Sequence, residues 1–386
     1  LEKNTTGSFN IALGYRPLSK TTTGSNNVAF GCDALLNNTT GASNTAIGKN
    51  ALCANTTASC NIAIGHVALC SNTTGEINVA LGSNALRMNT TGLRNVAIGA
   101  SPMFDNTTGQ QNVAIGDGAG YKNTTGSCNI SLGASARYEA TTGSNNFAAG
   151  YLALYSGANS AASDNIAIGS NASRYNTTGC HNTALGSVAL YNNTTGHCNV
   201  AIGKENLRTN TTGGCNVAIG SLALYFNTTG GQNTALGNRA LQNITTGYDN
   251  VGIGRCAGCG FTTGGNNIGI GCQALKGSGT STGSNNVAIG KCTLLNNSTG
   301  NSNMAIGAQA LQNTTTGSNN IAIGAIAGFS IAGGSSNLVF GDQAGRGITS
   351  GSQNVAIGKK AMESRNTSNT AVGTGSSNVA IGDSAL

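Results

Sequence analysis

Apolar and polar residues alternate in a short segment that recurs along the chain. The pentapeptide Asn-(Val/Ile)-Ala-(Ile/Leu)-Gly occurs in 23 copies between Asn10 and Gly382, and 18 of the 22 spacings are 17 residues. With this Asn as position 0, positions 1 and 3 are apolar and position 2 is small, which is typical of a β-strand with two different faces. Positions 7 and 8 are usually Ala-Leu, and positions 11 to 14 are usually Asn-Thr-Thr-Gly, a composition that indicates a turn with positive φ.

Seventeen residues are too few for a strand-helix-strand unit and fit one coil of a parallel β-solenoid. Gly, Asn and Thr in every unit also disfavour helix. Equivalent residues of consecutive coils would stack about 4.8 Å apart. We expect positions 1, 3 and 8 to fill the interior and the position-0 Asn to form a hydrogen-bonded ladder. Two-residue insertions near Ala158–Ala162 and Gly277–Thr280 should bulge from a turn. Because no compositional break interrupts the repeat, the sequence predicts an all-β fold, a single-domain parallel β-solenoid (β-roll) over residues 1–386 with about 22 coils.

Position 2 is restricted to small residues and is Ala in 19 of the 23 copies. A solvent-facing position would vary toward polar residues and an ordinary core position would hold larger ones, so the restriction indicates close approach of two backbones. One interpretation is that this face packs against other chains, which predicts a homo-oligomer. The alternative is that it packs against the opposite wall of its own coil. On the first interpretation the interchain residues are Ala12, Ala29, Ala46, Ala63, Ala97 and Ala114.

Composition removes several classes of function. Charged residues are 8 % of the chain, and the net charge is +7. No basic run occurs, which argues against a nucleic-acid partner, and no apolar stretch approaches the ~20 residues of a membrane helix. The acidic residues are scattered, with no facing carboxylate pair, nucleophile motif or phosphate loop. We therefore predict no catalysis, no cofactor and no membrane insertion.

Repeat units such as Asn95–Gly99 and Asn61–Leu69 resemble the head repeats of YadA-type trimeric autotransporter adhesins. They are also similar to repeats in some phage and giant-virus fibre proteins. The resemblance covers essentially the whole chain, although its 17-residue coil is longer than the usual head repeat. It implies a left-handed parallel β-roll, three chains around one axis, and adhesion at a surface. Under it, Ala12, Ala29 and Ala46 would line the axis side.

These observations predict an extracellular structural or adhesive fibre or filament shaft, at a cell or virion surface, built from copies of the chain. End-to-end stacking of segments into a filament is a further expectation, because solenoid ends carry open strand edges. The alternatives are a virion fibre for host attachment, a passive glycosylated surface filament, and an ice-binding solenoid that uses the recurring Thr pair.

The Asn-Thr-Thr-Gly segment is also an acceptor for N-glycosylation. The alternative is that it serves turn geometry alone, since glycans at one coil's spacing would crowd each other. The candidate acceptors are Asn4, Asn38, Asn55, Asn72, Asn89, Asn106, Asn123, Asn176, Asn193, Asn210, Asn227, Asn243, Asn297 and Asn313.

Cysteines recur in register with the repeat. Cys53 and Cys70 are 17 residues apart, as are Cys198 and Cys215. Stacking would bring each pair within disulfide range, as expected in an oxidising compartment, whereas the alternative is buried free thiols. His181, Cys198 and Cys215 would form one column, for which zinc binding is a further hypothesis and a Cys198–Cys215 disulfide the simpler account.

Overall fold

The computed structural model describes residues 2–156, 160–363 and 373–385. It contains three-residue parallel strands separated by turns, with no helix in these ranges. The chain divides into two compact units, Leu1–Thr195 and Gly196–Leu386. Each unit is a parallel β-solenoid with one short strand per coil, which confirms the all-β class and the 17-residue coil. The prediction of one continuous domain over residues 1–386 stays a prediction.

The strands follow the pentapeptides. The first unit contains β1 Ile11–Leu13, β2 Val28–Phe30, β3 Thr45–Ile47, β4 Ile62–Ile64, β5 Val79–Leu81, β6 Val96–Ile98, β7 Val113–Ile115, β8 Ile130–Leu132, β9 Phe147–Ala149, β10 Ile166–Ile168 and β11 Thr183–Leu185. The second contains β12 Val200–Ile202, β13 Val217–Ile219, β14 Thr234–Leu236, β15 Val251–Ile253, β16 Ile268–Ile270, β17 Val287–Ile289, β18 Met304–Ile306, β19 Ile321–Ile323, β20 Leu338–Phe340, β21 Val355–Ile357 and β22 Val379–Ile381.

Equivalent residues pair in register within each unit, so that Val96 lies opposite Val113. The insertion at Gly277–Thr280 preserves this register, because Ile268 pairs with Val287. At Gly279 an added Cβ would meet nothing within 4 Å, as expected for a bulge toward solvent. The register is likewise kept across Ala158–Ala162, although residues 157–159 lie outside the described residues.

The last coil differs from the one that the spacing predicts. Val355 pairs directly with Val379, so the pentapeptide that begins at Asn369 is not a rung between β21 and β22. In the sequence, Asn354, Asn369 and Asn378 are separated by 15 and 9 residues, and both intervals belong to one enlarged coil of 24 residues. Residues 364–372, which include most of that pentapeptide, lie outside the described residues.

The strand face that points inward is the opposite of the one predicted. Ala at position 2 is completely buried, as at Ala218, whereas Ile219 at position 3 is 39 % exposed. The short distance between the two walls of the coil explains why the small position-2 residue, and not positions 1 and 3, points inward. A Cβ added to Gly252, at position 2, would lie 2.7 Å from Cγ of Leu241, at position 8. Most coils hold an Ala methyl group opposite a Leu, whereas beside Gly252 the Leu241 side chain already fills the space that a methyl group would need. Of the interior positions, only the prediction for position 8 is confirmed.

This orientation also corrects the predicted interchain residues. Ala29, Ala46, Ala63, Ala97 and Ala114 are at most 1 % exposed within their own chain, and Ala12 in the first coil is half-buried against the same core. These side chains cannot reach a second chain because the opposite wall of their own coil already covers them. The alternative interpretation of the small-residue position is the correct one.

Val339 is the exception at position 2, and the coil compensates for it. The position-8 residues of its own coil and of the preceding coil are Gly345 and Gly328 instead of Leu. A Cβ on Gly345 would lie 2.8 Å from Val339 Cγ2. In this coil, Gly at position 8 thus makes room for the larger residue at position 2.

Two ladders of Asn side chains run through each unit. At position 0, Asn112 donates from its backbone N–H and its Nδ2 to Asn95 Oδ1, at 3.0 and 3.1 Å. This confirms the predicted ladder. The second ladder, at position 11, was not predicted: Asn106 Nδ2 donates to Asn89 Oδ1 at 2.7 Å and to Gly109 O at 3.0 Å. Both rows are buried, so they hold consecutive coils together where water cannot compete.

The second ladder is interrupted where position 11 is not Asn. Asn123 Oδ1 has no hydrogen-bond partner among the described residues, because the next coil carries Ala140 there. Arg137 partly replaces the missing amide by donating to Gly143 O at 3.0 Å. This guanidinium is 2 % exposed, and burial lowers its pKa to about 10. It therefore remains a buried cation at neutral pH.

The predicted sites of positive φ are partly wrong. The pentapeptide Gly adopts φ near +130°, as at Gly48, and non-glycine residues at positions 6, 8 and 16 also have positive φ, as at Leu35. The Gly at position 14 is needed for space instead, because a Cβ on Gly75 would lie 2.3 Å from Gly92 O.

Candidate assembly surface

The outward face of each sheet is an apolar surface made by positions 1 and 3, which we call the apolar face. Its members in β1 to β22 are Val, Ile, Leu, Met, Phe and Ala, with Thr at three places in position 1, and none is charged. Ile115 is 41 % and Ile166 42 % exposed, although both lie in the middle of a ladder. The side chains at positions 1 and 3, which were predicted to fill the interior, therefore form an outer surface.

This surface runs the length of each unit, and its area is at least comparable to the largest apolar patches of monomeric proteins. Each unit contributes eleven strands, which gives a face roughly 50 Å long with about 7 Å between its two rows. Monomeric soluble proteins rarely expose contiguous apolar patches larger than a few hundred Å². Position 5 borders the face and is often polar, as at Lys49, His66 and Asp117. An apolar centre with a polar border is the usual composition of a protein interface.

A column of aromatic rings at position 9 was missed by the sequence analysis. Phe104, Tyr121, Tyr138 and Tyr155 stack with centroid separations of 5.0, 4.8 and 5.7 Å. Arg174 lies 5.6 Å from the Tyr155 ring, as a cation–π cap. The signal was present in the sequence, because these aromatic residues share one position of consecutive coils.

The same column contains the predicted Cys53 and Cys70 pair. Their Sγ atoms lie 2.7 Å apart, so the structure brings these thiols together. Cys198 and Cys215 both lie at position 16, two residues before β12 and β13 respectively, and are exposed. Their disulfide stays a prediction.

The predicted metal column is divided between the units. His181 belongs to the first unit and Cys198 and Cys215 to the second. Within the described ranges, no group of three or more His, Cys, Asp or Glu side chains could hold a metal ion. The column is accordingly not assigned as a metal site.

The structure places most predicted glycosylation acceptors in the buried ladder at position 11. An amide that donates two hydrogen bonds in the interior cannot carry a glycan without opening the coil, so these predictions are wrong for the folded protein. Asn4 is exposed, and Asn243 and Asn313 are half-buried at position 10; for these three, glycosylation stays a prediction. The buried acceptors are Asn38, Asn55, Asn72, Asn89, Asn106, Asn123, Asn176, Asn193, Asn210, Asn227 and Asn297.

The paired Thr residues have different environments. At position 12 the hydroxyl is used internally, as where Thr39 Oγ1 donates to Thr56 O at 3.0 Å. At position 13 the side chain is exposed, as at Thr40. Each Thr pair therefore presents one exposed hydroxyl column rather than two.

No family model and no curated protein matches this chain. The resemblance to YadA-type head repeats stays a prediction that rests on the repeat itself. In the ranges that the structure describes, no helix has the length and apolar character to span a bilayer.

Proposed function

We propose that this chain is the shaft of an extracellular structural or adhesive fibre, in which copies pack side by side through the apolar face. The observation that supports this proposal is the pair of uncharged apolar rows that each sheet exposes. A surface of this kind has a free-energy cost in water that association would relieve. The resemblance to trimeric adhesin heads suggests three copies around one axis, and a cell or virion surface as the location.

A second copy of the chain is the occupant that suits the apolar face. The rows repeat at the spacing of parallel strands, about 4.8 Å, and another copy presents the same residues at the same spacing. Side chains such as Ile98 and Ile115 can then fill the gaps between their counterparts over many coils. No charge on either face would have to be desolvated, so contact would bring no electrostatic penalty.

The apolar face is large enough to support this assembly. Ile64 and Ile219 are 38 % and 39 % exposed, and burying that remainder contributes roughly 0.6–1 kcal/mol per side chain. Apart from Phe340 and the side chains of β1 and β22, the other side chains of the apolar face are similarly or less exposed. About twenty of them per unit contribute an energy of the same order as the association cost of about 4–15 kcal/mol. Lateral contact should therefore be cooperative along the solenoid.

Lysines on the apolar face should separate the copies. The triple variant Ile64→Lys, Ile115→Lys and Ile168→Lys places one charge on every third coil, on side chains that already face outward. We expect the unmodified chain to sediment as an oligomer and the variant as a monomer, because each lysine would have to be desolvated in the contact. Analytical ultracentrifugation measures the difference, and far-UV circular dichroism checks that the fold is kept.

The matched control puts three lysines on the same coils but on the exposed Thr column, as Thr74→Lys, Thr125→Lys and Thr178→Lys. It has the same added charge and should remain oligomeric. A monomeric unmodified chain, or an apolar-face variant that stays as oligomeric as the control, would contradict the proposal.

A further inference from the structure

Two cysteines and one arginine occupy consecutive places in the position-9 column of the first unit. Cys53, Cys70 and Arg87 occupy this position in the coils of β3, β4 and β5. The Sγ atoms of the cysteines are 2.7 Å apart, and Cys53 Sγ is also 3.4 Å from Cys70 O. Both thiols are half-buried, so they remain within reach of a small molecule.

The surroundings make the two thiols chemically different. The hydrogen bond from Cys53 lowers the pKa of Cys70, burial opposes this, and the charge of Arg87 adds to it, giving a value of about 7. The same hydrogen bond, together with burial, raises the pKa of Cys53, and Asp33 acts in the same direction. The Arg87 guanidinium lies 5.3 Å from the Phe104 ring, so the positive charge stays within the position-9 column.

We propose that Cys53 and Cys70 form a thiol–disulfide exchange site that reacts with small-molecule disulfides, such as oxidised glutathione, and yields a disulfide between the coils of β3 and β4. This inference is independent of lateral packing through the apolar face. It concerns a different surface of the coil and a covalent change within one chain.

The exchange has two balanced steps. The Cys70 thiolate attacks one sulfur of the small disulfide, whose S–S bond breaks, and the first thiolate leaves and takes up a proton from water. Cys53 then loses its proton to water and attacks Cys70 Sγ, and the second small thiolate leaves and takes up a proton from water. Two protein thiols are oxidised to one disulfide while one small disulfide is reduced to two thiols.

Coil stacking supplies the geometry for the second step. Equivalent residues of adjacent coils lie about 4.8 Å apart, inside the Cα range of disulfides, so the bond can form without displacing either coil. Cys60 gives the contrast: it is exposed, but its neighbours in the stack are Ser43 and Ile77. It can form a mixed disulfide but has no stacked thiol that could resolve it.

Incubation with reduced and oxidised glutathione, followed by peptide mass spectrometry, tests the site. In the unmodified chain we expect a Cys53–Cys70 disulfide. The Cys53→Ser variant should retain glutathione on Cys70. At pH 7 the Cys70→Ser variant should form the glutathione adduct on Cys53 more than about tenfold more slowly than the Cys53→Ser variant forms it on Cys70. The reason is that the thiolate fraction of Cys53 is lower than that of Cys70. The rate of Cys70 alkylation in the unmodified chain should have its midpoint near pH 7.

Two arginine variants test whether the charge of Arg87 lowers the pKa of Cys70. Arg87→Gln should move the alkylation midpoint of Cys70 to higher pH. Arg94→Gln removes the same charge from an exposed position of the same coil and should leave the midpoint unchanged. Absence of the Cys53–Cys70 disulfide in the unmodified chain, equal adduct rates in the two Ser variants, or an unmoved midpoint in Arg87→Gln would overturn the proposal.

Discussion

Asn320→Asp should lower the free energy of unfolding by about 3–5 kcal/mol, because it places an unpaired charge in the buried ladder. Asn320 is completely buried, and its Nδ2 donates to Asn303 Oδ1 at 3.1 Å and to Gly334 O at 2.8 Å. A carboxylate has no proton for either acceptor and would face both with negative charge. Its other oxygen would still accept hydrogen bonds from Asn337, so the contact with the following coil would remain.

The neighbouring residue provides the control. Asn319 is exposed and lies at position 16, where Asp164 and Asp249 occur naturally with the same positive φ. Asn319→Asp adds the same charge and should change stability by less than about 0.5 kcal/mol. Urea unfolding followed by circular dichroism compares the two variants. Hydrogen exchange at the Asn337 amide reports the rung directly.

The Asn320→Asp penalty should also depend on pH. Burial raises the folded-state pKa of the new carboxyl above its unfolded value. The penalty is therefore fully present above the folded-state pKa and is lost as pH falls toward the unfolded value of about 3.9. A variant that unfolds like Asn319→Asp at every pH would show that the ladder contributes little.

The coil and its register could be predicted from sequence because a fixed period constrains both. In-register pairing of Val96 with Val113 follows from a repeat of constant length, and the position-0 ladder follows from one Asn in every unit. Enlarged coils were harder, because the pentapeptide at Asn369 fits the motif but breaks the period. The period did not predict this coil either, because Asn378 lies 24 residues after Asn354.

The inward face could not be predicted from alternation, because all three strand positions are apolar. Period two separates the faces but does not say which one is covered. One available signal was that Val339, the one large residue at position 2, coincides with Gly328 and Gly345 at position 8. That signal is not specific, since Gly120 and Gly258 at position 8 accompany the small residues Ala114 and Gly252. Likewise, Asn-Thr-Thr-Gly was interpreted as turn and glycosylation chemistry because sequence does not reveal that its Asn is buried.

Ala46→Val should destabilise the first unit by roughly 2–3 kcal/mol, through overpacking between the two walls of the coil. Ala46 is completely buried, as are Leu35 and Leu52 at position 8, so the added methyl groups have no Gly opposite them. Thr45→Val is the matched control, since its side chain points outward and Val is common at position 1; it should be neutral. Thermal unfolding of both variants measures the contrast. Equal stability would mean that the interior can relax, and the restriction of position 2 to small residues would then need another cause.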